Sequence, residues 1–233
     1  MSVKRLVALC TVVVLCGMLA IAGTEFGPPA LTMIFKPLTT LLLLVVVGRP
    51  TSAFASFVDA GIALSLVGDI ALLSDGNLAF KVGLGAFLLA HIAYVAGGVT
   101  VGVFSPRLLV VAALVMTSTS FLLATIWPGA EGARAPTVVY GGAITCMVIA
   151  SWSTLGGKLA WARLAAAGAL LFYISDASLA LNRFHRPIPH VSLLSMGVYW
   201  LGQLGIALAA RGGLLEAADR PRLAAEPPLP GSH

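Results

Sequence analysis

Charge is what this sequence has least of. Of its 233 residues only 10% are Asp, Glu, Lys or Arg, 59% are hydrophobic, and the mean hydropathy is +0.99. So little charge excludes an ordinary soluble domain, which could not hide that much apolar surface; the solvent of this chain is lipid. Cysteine is scarce as well. Cys10, Cys16 and Cys146 all lie in apolar runs, with no Cys-x-x-Cys and no Cys/His spacing for a metal, and they read as small buried hydrophobes. The net charge of +5 reports mostly loop lysines and arginines and gives no case for a nucleic-acid partner. No long polar linker marks a second domain, and nothing calls for a protein partner.

Apolar runs of membrane-spanning length are what the sequence does have. Eight are expected to be helices, at about 5–23, 31–47, 54–73, 81–103, 106–127, 136–155, 160–182 and 190–211. The fold class is therefore all-α: a polytopic integral membrane protein, a single bundle of about eight transmembrane helices over residues 1–211. A disordered cytoplasmic tail rich in Pro, Ala and charge is expected over 212–233. Lys4-Arg5 and Ala20-Ile21-Ala22 have the look of a signal peptide, but the run from Leu6 to Ala22 is longer than most signal cores, so a retained helix is expected. Nine lysines and arginines, Lys158 among them, fall on the side of the N-terminus, against Lys81, Arg134, Arg183 and Arg186 on the other. The positive-inside rule then places both termini in the cytoplasm of a multi-pass protein, in the inner (plasma) membrane of a bacterium.

A few polar residues interrupt the apolar spans. At ~1.5 Å per helical residue, Lys36, Asp69, Tyr140 and Asp176 all lie about 6 to 9 Å from the outer ends of four different helices, and His91 sits just below them. Isolated charges in lipid cost several kcal/mol, so such groups turn inward and find partners. A shared depth on scattered helices points to one buried site. Helical spacing supports this: His91 with Tyr94, Tyr173 with Asp176, Ser65 below Asp69, and the stripe Ser192, Ser195, Tyr199, Gln203 each occupy one face. "LVGDIALL" around Asp69 also echoes "YISDASLA" around Asp176, four spans apart, which leaves room for two parallel four-helix halves facing a cavity.

The segments "FKPLTTLLLL" (35–44), "SLVGDIALL" (65–73), "GAFLLAHIAY" (85–94) and "YISDASLALNRF" (173–184), in this order on apolar helices, resemble the YhhN-like family of lysoplasmalogenases over roughly residues 30 to 208. The resemblance implies hydrolysis of the sn-1 vinyl ether bond of lysoplasmalogen, a lysophospholipid, to a fatty aldehyde and a glycerophosphoethanolamine or glycerophosphocholine, without a metal or organic cofactor. Cleaving an alkenyl ether requires a proton donor for its β-carbon, negative charge beside the oxocarbenium ion, and activated water. Two carboxyls in different environments supply these roles, as in glycosidases. Asp69 and Asp176 are the expected catalytic pair, and the residues leave open which is acid and which is base. Lys36, His91, Tyr94, Tyr140, Tyr173, Tyr199 and Gln203 are the expected substrate-binding set, with no metal ligand among them. Arg183 and Arg186 stand where a headgroup would lie.

Each candidate also has a structural reading. The aspartates can be members of ion pairs, Lys36 can snorkel, His91 and the tyrosines can be packing groups, and Gln203 can stitch helices. A small proton-coupled transporter is the alternative function, because buried acids suit it equally.

Overall fold

A computed structural model describes the backbone of residues 1–157 and 159–225, with side chains described through 212. Lys158 and residues 226–233, which include part of the expected tail, lie outside the described residues. Among the described residues eight helices are long and apolar enough to cross a membrane. They are α1 (Val3–Glu25), α2 (Pro29–Val47), α3 (Ala53–Ala71), α4 (Asn77–Val101), α5 (Pro106–Ile126), α6 (Arg134–Ser153), α7 (Ala162–Phe184) and α8 (Val191–Ala225). The spanning part of α8 is Val191–Gly212, and the helix runs on past residue 211, where the tail was expected to begin. No strand occurs among these residues, and the chain is an all-helical polytopic membrane bundle.

Local chemistry explains the helix boundaries. Pro29 and Pro106 open α2 and α5, at the first-turn position where a missing N–H costs nothing. Ser52 caps α3 by accepting the Ala55 N–H at 3.2 Å. Gly48, with φ of 77°, ends α2 in a conformation that side chains disfavour. α4 begins at Asn77, four residues earlier than the sequence suggested, because the break is Gly76 at φ of 131° and not Lys81.

Short loops make most consecutive helices antiparallel neighbours, the exception being α4 and α5. Beyond those neighbours, α4 packs on α6, and α2 packs on α8. This pairing repeats when every helix number advances by four, which matches the expected four-plus-four arrangement. The match is incomplete: α1 and α3 also pack on α8, and among the described residues neither α5 nor α7 packs on α4. That extra contact of α3 with α8 brings Tyr199 to Asp69.

Two features of the bundle surface follow from its solvent. α5 buries only Val115, Thr119 and Ile126 and presents Leu109, Leu114 and Phe121 outward. Cys16 is buried and Cys10 partly so, but Cys146 is exposed, which corrects the expectation that all three thiols are interior. Lipid is as apolar as a protein core, so a small hydrophobe on α6 gains nothing by facing inward.

Candidate functional site

The half of the bundle farther from Met1, called the outer half below, holds a cavity of about 680 Å³. Its lining reaches the helix ends at Pro29, Leu73, Ala133, Phe184 and Ser192, so it opens on the membrane face opposite Met1. Asp69 and Asp176 both line it, together with Lys36, Tyr140, Tyr173 and Tyr199. Between these polar groups stand Met33, Leu84, Leu122, Leu123, Ile126 and Leu179, so most of the wall is apolar. A volume of this size with few, convergent polar groups suits one ligand of small-molecule or single-chain lipid dimensions.

Asp69 comes from the last turns of α3 and is 2% exposed. Its Oδ2 accepts from Thr40 Oγ1 at 2.5 Å and from the Tyr199 hydroxyl at 2.9 Å. Lys36 Nζ lies 3.9 Å from Oδ1. Lys36 and Thr40 are one turn apart on α2, a spacing that puts both on the face toward α3. Pro37 between them has no N–H for the carbonyl of Met33, a residue that itself faces the cavity. Beside this group Trp200, itself part of the cavity lining, donates from Nε1 to Thr40 Oγ1 at 3.1 Å. The Tyr94 hydroxyl donates to Gln203 Oε1 at 2.6 Å, and Gln203 Nε2 reaches the Tyr199 oxygen at 3.4 Å.

Asp176 comes from α7 and is 14% exposed, on a side chain that lines the cavity. Its Oδ2 accepts from the Tyr140 hydroxyl at 2.6 Å and lies 3.1 Å from His91 Nε2. His91 Nε2 and the Tyr140 oxygen are 3.0 Å apart, which closes a triangle from α4, α6 and α7. His91 is fully buried, and its Nδ1 has no hydrogen-bond partner among the described residues. Phe172 separates the two carboxyl groups' supports. It packs edge-on against His91 at 4.8 Å and against Tyr199 at 5.1 Å between ring centroids. Tyr173 bonds to Ser118 and Thr119 on α5, away from either carboxylate.

At the mouth, the Arg183 guanidinium stacks over the Phe80 ring at 3.7 Å. Across the opening, His190 Nδ1 and Glu25 Oε2 pair at 2.6 Å, tying the outer ends of α1 and α8. Among the described residues no three His, Cys, Asp or Glu side chains gather as a metal would need.

This geometry sits inside a stretch with known relatives. The model of the YhhN family matches residues 31–210. The chain belongs to the YhhN family. Human "Lysoplasmalogenase TMEM86B" is 32% identical over 165 residues, covering 69% of this chain and 66% of that protein. Human "Lysoplasmalogenase TMEM86A" is 33% identical over 165 residues, covering 67% and 65%. "Uncharacterized membrane protein YhhN" of Escherichia coli O157:H7 is 33% identical over 178 residues, covering 74% and 80%. The chain thus spans somewhat under two thirds of the length of the two human relatives. No solved structure matches it.

The YhhN-family stretch contains every site residue expected from the sequence, but not all in the same layer. Lys36, Asp69, Tyr140, Tyr173, Asp176 and Tyr199 face the cavity. His91, Tyr94 and Gln203 are buried and stand behind its wall, not among the residues that line it. Sequence reasoning missed Thr40 and Trp200. A signal for the first was present, since Thr40 follows Lys36 by four in a helical run. Trp200 gave none, because an aromatic beside Tyr199 reads as packing.

Proposed function

We propose that this chain is a membrane lysoplasmalogenase: it hydrolyses the sn-1 vinyl ether of a lysoplasmalogen to a fatty aldehyde and a glycerophosphoethanolamine or glycerophosphocholine. One observation carries the reading: two carboxyls with different hydrogen-bond surroundings line a single, mostly apolar cavity open to one face. Family membership and the names of the human relatives support it.

The chemistry suits those parts. A proton from a carboxyl adds to the alkene β-carbon, and the π electrons form the new C–H bond. The α-carbon and ether oxygen then share an oxocarbenium charge that a carboxylate alongside stabilises. Water adds to the α-carbon and gives up a proton, and the hemiacetal collapses to aldehyde and glycerol hydroxyl. The apolar wall takes the alkenyl chain, and Arg183 at the mouth attracts the headgroup phosphate. The membrane is the bacterial inner membrane, with the N-terminus cytoplasmic, by the excess of Lys and Arg on that side. The cavity then opens toward the outer leaflet.

The test is direct. Purified protein is incubated with a 1-alkenyl lysophospholipid and with its saturated 1-alkyl analogue, and aldehyde is measured. Release from the first alone supports the reading. No aldehyde, with proton-linked solute uptake into liposomes, would install the transporter in its place.

A further inference from the structure

The two carboxyls differ in what surrounds them, and that difference assigns their roles. Among the described residues Asp69 accepts from two hydroxyls and faces one ammonium. The Trp200 indole can only donate, so Thr40 Oγ1 accepts from it, and the Thr40 hydroxyl in turn donates to Asp69 Oδ2. Tyr94 donates to Gln203 Oε1, which turns the Gln203 amide N–H toward the Tyr199 oxygen and leaves the Tyr199 proton for the same carboxylate oxygen. Lys36 faces the other oxygen. A carboxylate at Asp69 is matched by all of these groups: two hydroxyl donors on Oδ2 and an ammonium beside Oδ1.

Asp176 is held differently. Its Oδ2 takes the Tyr140 O–H and the His91 N–H. No lysine or arginine pairs with it among the described residues. The buried Nδ1 of His91 has no acceptor among the described residues, so Nε2 is the ring nitrogen placed to donate to Asp176. The second oxygen, Oδ1, has no hydrogen-bond partner among the described residues and belongs to a side chain lining the cavity. That oxygen is free to carry a proton toward a ligand.

Resting on the hydrolase reading above, we infer that Asp176 is the acid that protonates the alkene β-carbon from Oδ1, and that Asp69 is the resident anion, kept so by donors ordered through Gln203 and Trp200. The sequence of proton moves closes. Asp176 gives its proton to the β-carbon and becomes a carboxylate. Water bonds to the α-carbon and its proton passes to Asp69. As the hemiacetal's bond to the glycerol oxygen breaks, that oxygen takes the proton back from Asp69, and Asp176 takes the hydroxyl proton as the aldehyde forms. Both side chains return to their starting states. His91 and Tyr140 are positioning residues for the acid, and Gln203 and Trp200 for the anion.

Infrared difference spectroscopy of the resting protein tests the assignment without reference to turnover. Expected is one protonated-carboxyl C=O band that persists in Asp69→Asn and disappears in Asp176→Asn. Should Asp176→Asn fail to fold, the neighbours answer: Tyr140→Phe shifts the band and Tyr199→Phe leaves it in place. A band lost in Asp69→Asn, a band that moves with Tyr199 and not Tyr140, or no protonated carboxyl at all would overturn the assignment. Gln203→Leu adds a check on positioning: kcat falls while the Kd for the saturated 1-alkyl lysophospholipid is unchanged, whereas a merely structural role would weaken both. Wild-type protein that makes no aldehyde would instead sink the hydrolase reading, so the two failures are separable.

Discussion

The outer and inner halves of this bundle are built on opposite principles. In the outer half the helices stand apart around a cavity of about 680 Å³, and bulky aromatics and polar side chains fill the rim. In the inner half the same helices approach closely at small residues. Gly168 on α7 meets Gly202 on α8 so tightly that a Cβ at Gly168 would lie 2.5 Å from the Gly202 carbonyl oxygen. α4 meets α6 at Gly98, where a Cβ would come within 2.9 Å of Ala150. Small residues permit this approach, and in lipid such packing is what drives helices together. Phe54 stacks on Trp161 at 4.7 Å, and Arg211 donates to the Val46 carbonyl at 2.9 Å, which gives the end of α2 a partner. The inner half fixes helix positions so that the outer half can hold unpaired cavity surface without collapsing. The cavity's lining stops short of the helix ends on the Met1 side.

If that division is right, changes in the two halves should have separable effects. The largest is at the carboxyls. Asp176→Asn should lower aldehyde release by about 10²–10⁴-fold, the range for a lost general acid, with little change in thermal unfolding in detergent. Next is the inner seam. Gly168→Leu should cost at least about 1–3 kcal/mol through overpacking, read as a lowered Tm, while the protein that remains folded keeps its turnover. Between the two lies Lys36→Met, which removes the cation beside Asp69. Leaving a buried carboxylate unpaired costs about 3–5 kcal/mol, so stability and activity should fall together. Adding Asp69→Asn should restore the stability and not the activity. The smallest effect should come from Asp59. It sits on α3 ten residues before Asp69, ~15 Å deeper, outside the cavity and without a hydrogen-bond partner among the described residues. Asp59→Asn should leave kcat within about twofold, consistent with the small effects usual away from special sites. A large loss there would mean that the inner half takes part in the chemistry.

The same division explains what could be read from the sequence. Eight spans follow from apolar runs alone, because lipid demands about 20 such residues per crossing. Helix ends slipped where a turn was made by Gly76 and not by a charge. The meeting of Lys36, Asp69, His91, Tyr140 and Asp176 was legible because polar groups in lipid must find each other, and a shared depth was their only common property. Which of them would touch was not legible. Depth places a residue along the membrane normal and says nothing of its angle around the bundle, so Lys36 could have served either aspartate. The helices' azimuths are set by glycine contacts such as Gly61, which leaves room for the Tyr94 ring, and no period marks such a glycine as different from another. Cys146 illustrates the converse: in water an apolar residue seeks the core, whereas in lipid it is equally at home on the surface.

The central claim is that this cavity protonates the carbon of a vinyl ether. Running the reaction in D₂O and trapping the aldehyde at once for mass spectrometry measures that step most directly. The account predicts one deuterium on the carbon next to the carbonyl, and no product from the saturated ether. Aldehyde that carries no deuterium, or equal cleavage of the saturated ether, would contradict it.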